Sequence, residues 1–164
     1  MKGTMKQWLI VWLTMVAVTI PVGTFAGSEA IFKLKLDAAR KGDAEACYDV
    51  GYRYEKGRGT EQDDELAVEW FRKAADQGLD KAQYKLGMHF LKGKGVDEDP
   101  EQAKLWLKKA ADQGYPPAQY QLGKLYASAE ERDYELALEW LKKAQDNGYE
   151  PATREIRKVR KKLN

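Results

Sequence analysis

The stretch AQYKLGMHFLKGKGVDEDPEQAKLWLKKAADQG, residues 82–114, decides the fold, because the chain carries it in three versions. Its opening, Ala82-Gln83-Tyr84-Lys85-Leu86-Gly87, aligns with Ala46-Cys47-Tyr48-Asp49-Val50-Gly51 and with Ala118-Gln119-Tyr120-Gln121-Leu122-Gly123. Its close, Trp106-Leu107-Lys108-Lys109-Ala110-Ala111-Asp112-Gln113-Gly114, aligns with the segments that begin Trp70-Phe71 and Trp140-Leu141. A period of 36 residues marks stacked supersecondary units, none of which buries its apolar face alone.

Each version reads as two helices. Ala82, Leu86, Gly87 and Phe90 form the stripe of a first helix packed on one side, with Gly87 permitting a close neighbour. Gly93-Lys94-Gly95 ends that helix with residues that accept a positive φ. Asp99 then caps a second helix, with Pro100 in its first turn and Gln102 at capping-box spacing; Asp63 and Asp133 hold the same cap position. Ala103, Trp106, Leu107, Ala110 and Ala111 make the second stripe, and Gly114 stops it.

The pattern runs on at both ends. Ala38, Ala39 and Gly42 lie one period before Ala74, Ala75 and Gly78, so residues 29–41 read as a lone second-type helix. Ala152 and Ile156 continue the first-helix pattern, but Arg157 replaces the close-packing glycine, as suits a polar terminal cap. The predicted fold is all-α: a solenoid of antiparallel helical hairpins. Its divisions are a signal segment (residues 1–26), a cap helix (27–42), three repeats (43–78, 79–114 and 115–148) and a basic cap helix (149–164).

The pattern A-x-x-x-L-G-x-x-Y-x-x-G-x-G followed by D-x-x-x-A-x-x-W-[FL]-x-K-A-A-x-x-G resembles the Sel1-like repeat, a relative of the tetratricopeptide repeat. Residues 82–114 fit almost throughout, with Phe90 in place of the tyrosine, and residues 46–78 keep Tyr54, Gly57 and Gly59. The third copy keeps Tyr126 but is two residues shorter, with Ser128-Ala129-Glu130-Glu131 where the loop glycines stood. The resemblance implies that the first helices line a concave face that binds a protein or peptide. On that face helical spacing selects Asp49, Tyr52, Lys85, Met88, Gln121 and Lys124, a mixed groove for a ligand with apolar anchors and both signs of charge. Trp70, Trp106 and Trp140 sit beside core alanines and read as packing residues. Tyr48, Tyr84 and Tyr120, at the stripe's edge, read as packing ahead of ligand contact.

The amino terminus bears on location. Lys2 and Lys6 precede an uncharged apolar run over residues 8–20, then Pro21-Val22-Gly23 and the small-residue triplet Thr24-Phe25-Ala26. Those are the parts of a secretory signal, cleaved after Ala26, which implies a periplasmic or secreted protein with no stable membrane insertion afterwards; the alternative is an uncleaved membrane anchor, and either way the rest of the chain is expected outside the cytoplasm. The two lysines account for the whole net charge of +2, so the remainder is balanced and gives no reason to expect nucleic acid. Polar caps argue for a monomer.

Catalysis is poorly provided for. Beyond residue 26 the chain has one histidine, His89, one cysteine, Cys47, and two serines, Ser28 and Ser128. Neither serine has a lysine three residues on, and Cys47 and His89 hold non-equivalent positions in different repeats. Zinc would need more nitrogen and sulfur ligands. Cysteine-rich proteins of the resembled family are linked to β-lactams, but their paired cysteines are missing. Gly57-Arg58-Gly59 and Gly93-Lys94-Gly95 read as turns rather than phosphate cradles, since no strand precedes them. No catalytic residue, cofactor or metal is therefore expected. The chain reads as an envelope protein-interaction adaptor or regulator. An immunity protein with a cognate secreted toxin is the first alternative, and a carboxylate-based cell-wall hydrolase the second. The basic run from Arg154 to Lys162 reads as complementing a helix C-terminus, with anionic lipid or an acidic partner as its other use.

Overall fold

A computed structural model of the chain describes residues 22–128 and 132–163. The predicted signal segment lies outside the described residues, except for the backbone of residues 22–26. Within these limits the fold is all-α, with the helices α1 (Val22–Arg40), α2 (Ala44–Lys56), α3 (Asp64–Asp76), α4 (Asp80–Lys92), α5 (Pro100–Asp112), α6 (Pro116–Ser128), α7 (Tyr134–Asp146) and α8 (Pro151–Leu163). Each helix packs on the next, and α2–α3, α4–α5 and α6–α7 are the three hairpins. The lone first helix starts at Val22, directly after Pro21, seven residues before the predicted residue 29. The predicted Ser128–Glu131 connection falls largely on residues 129–131, outside the described set.

The caps follow the aspartates. Asp43, Asp63, Asp99 and Asp133 each accept a bond at 2.9 Å from the backbone N–H three residues on. The reciprocal half of the expected capping box does not form. The Asp99 N–H donates to the Phe90 carbonyl at the end of the preceding helix, and the Asp63 N–H to Tyr54. That backbone bond closes the hairpin loop and leaves Gln102 no donor to receive.

The core is the repeated stripe. Ala82, Leu86, Ala103, Leu107, Ala110, Ala118, Leu122, Ala137, Leu141 and Ala144 have no exposed surface. Gly51, Gly87 and Gly123 bring the two helices of each hairpin together: a Cβ on Gly87 would lie 2.8 Å from Leu107 Cγ, and one on Gly123 2.7 Å from Leu141 Cγ. At the equivalent place in α8, Arg157 is exposed, and no further helix among the described residues packs there. Trp70, Trp106 and Trp140 are buried, and the lysine three residues on lies over each ring, at 3.9, 3.9 and 4.2 Å from the centroid.

A second repeated device joins the units. Gln83 and Gln119 are buried, and each donates to the carbonyl of the last alanine of the preceding helix, Ala75 and Ala111, at 3.2 Å. Each also accepts from the end of the second helix of its own repeat: Gln83 from Gln113 at 2.8 Å and Gln119 from Asn147 at 3.0 Å. In the first repeat this rung is broken. Cys47 holds the glutamine position, and its thiol reaches the Ala39 carbonyl at 3.5 Å, while Gln77 turns back to Lys73. A cleft of about 510 Å³ lined by Cys47, Trp70 and Gln77 opens there. Cys47→Gln should complete the rung. Two buried hydrogen bonds, less the cost of ordering the side chain, predict a gain of about 1 kcal/mol, read as a higher urea midpoint at unchanged slope. Burial pushes the Cys47 thiol up, which leaves it a packed thiol rather than a thiolate nucleophile.

Candidate functional site

The six residues selected from spacing occupy matched positions on α2, α4 and α6, and the structure gives them different fates. Asp49 is paired with Lys35 of α1 at 2.7 Å. Lys85 is paired with Glu55 at 2.7 Å and lies 5.5 Å from the Tyr52 ring centroid. Met88 is half-buried and shares a recess with Lys85. Gln121 hydrogen-bonds the Tyr84 side chain, and exposed Lys124 lies over the Tyr120 ring at 5.5 Å. Tyr52, Lys85 and Met88 are thus brought together, whereas Asp49 and Lys124 stand at opposite ends.

The charge of this face is largely spent on the fold. All three acids that α2 offers are engaged from neighbouring elements: Glu45 by Lys81, Asp49 by Lys35 and Glu55 by Lys85. Burial opposes ionisation of Glu55, but the hydrogen bond and charge of Lys85, aided by Lys56, hold its carboxyl below the usual range. Each acid is bridged across a unit boundary.

What the face presents instead is tyrosine. Tyr84 packs against Tyr115 with ring centroids 5.4 Å apart, and Tyr120 against Tyr149 at 5.2 Å. Tyr48 packs against Phe71 at 5.6 Å, and its hydroxyl senses Tyr115 as that of Tyr84 senses Tyr149. Tyr48, Tyr84 and Tyr120 hold matched positions one period apart, and Tyr115 and Tyr149 pack on the last two, so the five phenols run over all three repeats. Burial pushes the Tyr48 hydroxyl up to about 12, and Tyr84, Tyr115 and Tyr120 are raised for the same first reason. These four stay protonated donors at neutral pH, and the rings of all five are only half-buried. Such amphipathic rings, held still by their neighbours, suit a protein partner. Tyr115 and Tyr149 were legible as the residues that follow Gly114 and Gly148, where the first repeat has Leu79.

His89 has a structural task. It is 3% exposed, its ring packs against Phe71 with centroids 5.5 Å apart and planes tilted by 50°, and its Nδ1 donates to the Lys94 carbonyl at 2.6 Å. One period earlier Arg53 Nη1 donates to the Arg58 carbonyl at 3.3 Å, so this position braces the glycine loop from within. The third repeat has Leu125 there, and it lacks the loop glycines too.

Burial holds the His89 imidazole below its ordinary pKa of 6.5, against the bond to Lys94. The unfolded chain therefore binds a proton that the folded chain refuses. Stability is greatest above pH 6.5 and falls as the pH drops below it. Glu55, depressed in the fold, adds its own loss only below about pH 4.5, the ordinary Glu value. Urea titrations at a series of pH values should show both windows, and His89→Asn should remove the upper one.

Among the described residues, no group of three or more His, Cys, Asp or Glu side chains is placed to hold a metal ion. No helix among them is long and apolar enough to cross a membrane.

The Sel1 repeat matches residues 44–79, 80–115 and 116–149. A Sel1 repeat protein from Oxalobacter formigenes has a similar structure, with 30% identity and a TM-score of 0.70 over 81% of this chain and 58% of that one. Immunity protein Pa5087 from Pseudomonas aeruginosa is 29% identical with a TM-score of 0.56, over 77% of this chain and 48% of that one. Cysteine rich protein B of Helicobacter pylori is 26% identical with a TM-score of 0.53, over 55% of this chain and 68% of that one. The chain thus spans less than two thirds of the length of the first two. No curated protein matches it.

Proposed function

The chain belongs to the Sel1 repeat family, and we propose that it is a protein-binding module whose partner lies along the tyrosine row of α2, α4 and α6. The observation that carries this reading is the row itself: Tyr48, Tyr84, Tyr115, Tyr120 and Tyr149 are locked against neighbouring rings yet half-exposed, on a face whose acids are occupied. The repeat family supplies scaffolds for protein–protein contact, which agrees with it. We place the protein outside the cytoplasm, as a monomer, on the strength of the amino-terminal pattern and the polar caps. Export predicts a product beginning at Gly27, checked by the intact mass of protein from the envelope fraction.

The test is parallel capture from envelope and secreted extract of the source cells. It uses the wild-type chain, Tyr84→Ala with Tyr120→Ala, and the control Leu105→Ser at an exposed position of α5. A partner lost by the tyrosine variant and kept by the control supports the reading; equal recovery on all three discards this face. An immunity role is the second reading, favoured by the likeness to Pa5087. It predicts one tight cognate toxin, and failure to protect cells from a toxin encoded beside it would count against it.

A further inference from the structure

We propose that the recess between the C-terminal ends of α2 and α4 is an anion subsite that receives an acidic side chain of the bound protein; this deepens the partner-binding reading and rests on it. The recess holds about 350 Å³ and is lined by four lysines, Lys56, Lys85, Lys92 and Lys94. The charges do not cancel. Glu55 serves both Lys85, at 2.7 Å, and Lys56, at 3.3 Å, while Asp64 serves Lys94 at 2.9 Å. Lys92 has no acid within pairing distance among the described residues. Four cations thus face two carboxylates, in a chain whose charge beyond the amino-terminal segment is balanced.

Lysines at a helix C-terminus have another use, since they complement unpaired carbonyls. Here left-handed glycine caps already serve part of that purpose. Gly57 N–H donates to the Arg53 carbonyl and Gly93 N–H to the His89 carbonyl, with Arg58 and Lys94 N–H adding a second bond to each. The surplus charge is therefore available to a ligand.

The remaining walls define what kind. Met88 and the Tyr84 ring supply an apolar side, and burial keeps the Tyr84 hydroxyl a donor. His89, held neutral by burial and bonded through Nδ1 to the Lys94 carbonyl, contributes no charge, so the attraction rests on the lysines. An apolar wall beside a cationic one fits a carboxylate on a methylene stem better than a bare inorganic anion. Tyr84 belongs both to this recess and to the tyrosine row, so the subsite would fix the register of a segment lying along the row.

Nuclear magnetic resonance of the full chain can test this, because His89 is its single histidine and Met88 the sole methionine of the described residues. The probes are acetyl-Ala-Glu-Ala-amide, its Gln counterpart and inorganic phosphate. The expected result is saturable movement of the Met88 methyl and His89 ring signals with the Glu peptide and little with the Gln peptide. Lys92→Glu, at an exposed position, should weaken the Glu peptide about tenfold. Equal response to Glu and Gln peptides, no response to either, or no effect of Lys92→Glu would overturn the subsite. A response to phosphate stronger than to the Glu peptide would overturn the side-chain assignment in favour of a free anion. Partner capture that still depends on Tyr84 and Tyr120 alongside a silent titration would discard the subsite and keep the face. The reverse pattern would discard the face and keep the recess.

Discussion

Gly95→Ala is expected to lower the unfolding free energy by about 3 kcal/mol, whereas Gly114→Ala should cost only about 1 kcal/mol. Both glycines have a positive φ, +68° and +88°, so both variants bear the strain of a side chain in the left-handed region. Their surroundings differ. A Cβ on Gly114 meets nothing within 4 Å, but one on Gly95 would enter the Asp64 carbonyl and lie 2.8 Å from the Glu65 N–H nitrogen. That obstacle is the backbone at the start of α3, which cannot rotate away as a side chain would. Relief requires the loop of one repeat to withdraw from the helix of the previous one, loosening the Lys94–Asp64 pair as well. In a solenoid each unit holds only its neighbours, so loss at one seam is not recovered elsewhere. Gly59→Ala should behave like Gly95→Ala, since its Cβ would enter the Ser28 carbonyl of α1. Urea unfolding of Gly95→Ala beside Gly114→Ala decides it. Equal losses would show that conformational strain, and not the seam contact, makes these loop glycines necessary.

That seam marks the boundary between what the sequence discloses and what it withholds. The stripe Ala103, Trp106, Leu107, Ala110 and Ala111 and the caps at Asp63, Asp99 and Asp133 are local, and helical spacing alone discloses them. So is the close approach at Gly87, because glycine recurs where an apolar residue would otherwise stand. The pairing of side chains between units is another matter. Glu55 meets Lys85 thirty residues on, and Asp49 turns backwards to Lys35. Which of these encounters forms depends on the rotation and offset of one hairpin against the next, and the repeat period does not specify either. The groove read as mixed, for a ligand with both signs of charge, has for this reason spent Asp49 and Lys85 on internal ion pairs. The Gln83 and Gln119 rungs lie between these cases. Their register, with Cys47 as the exception, is visible in the alignment, but their purpose needs the carbonyls of Ala75 and Ala111 to be in place.

Removing the Tyr84 ring should produce the largest effect on partner affinity. Tyr84→Ala is expected to raise the Kd by about thirtyfold, near 2 kcal/mol, as for a half-buried aromatic anchor at the centre of an interface. Tyr84→Phe should raise it by about fivefold at most, because it keeps the ring on Tyr115 and loses only the hydroxyl and its bond to Gln121. The contrast matters because the ring has two duties. It packs against Tyr115, so Tyr84→Ala also costs the fold, by about 1 kcal/mol for a partly buried side chain. A titration of the captured partner, run beside urea unfolding of each variant, separates the two. If affinity falls with the ring and stability changes little, the row is a recognition surface. If alanine and phenylalanine weaken binding alike, the partner reads the hydroxyl and the rings serve to hold it. If neither changes the Kd, the tyrosines belong to packing alone, as their place at the edge of the buried stripe first suggested. That outcome would move the partner to the basic face of α8, where Arg154, Arg157 and Lys161 stand exposed.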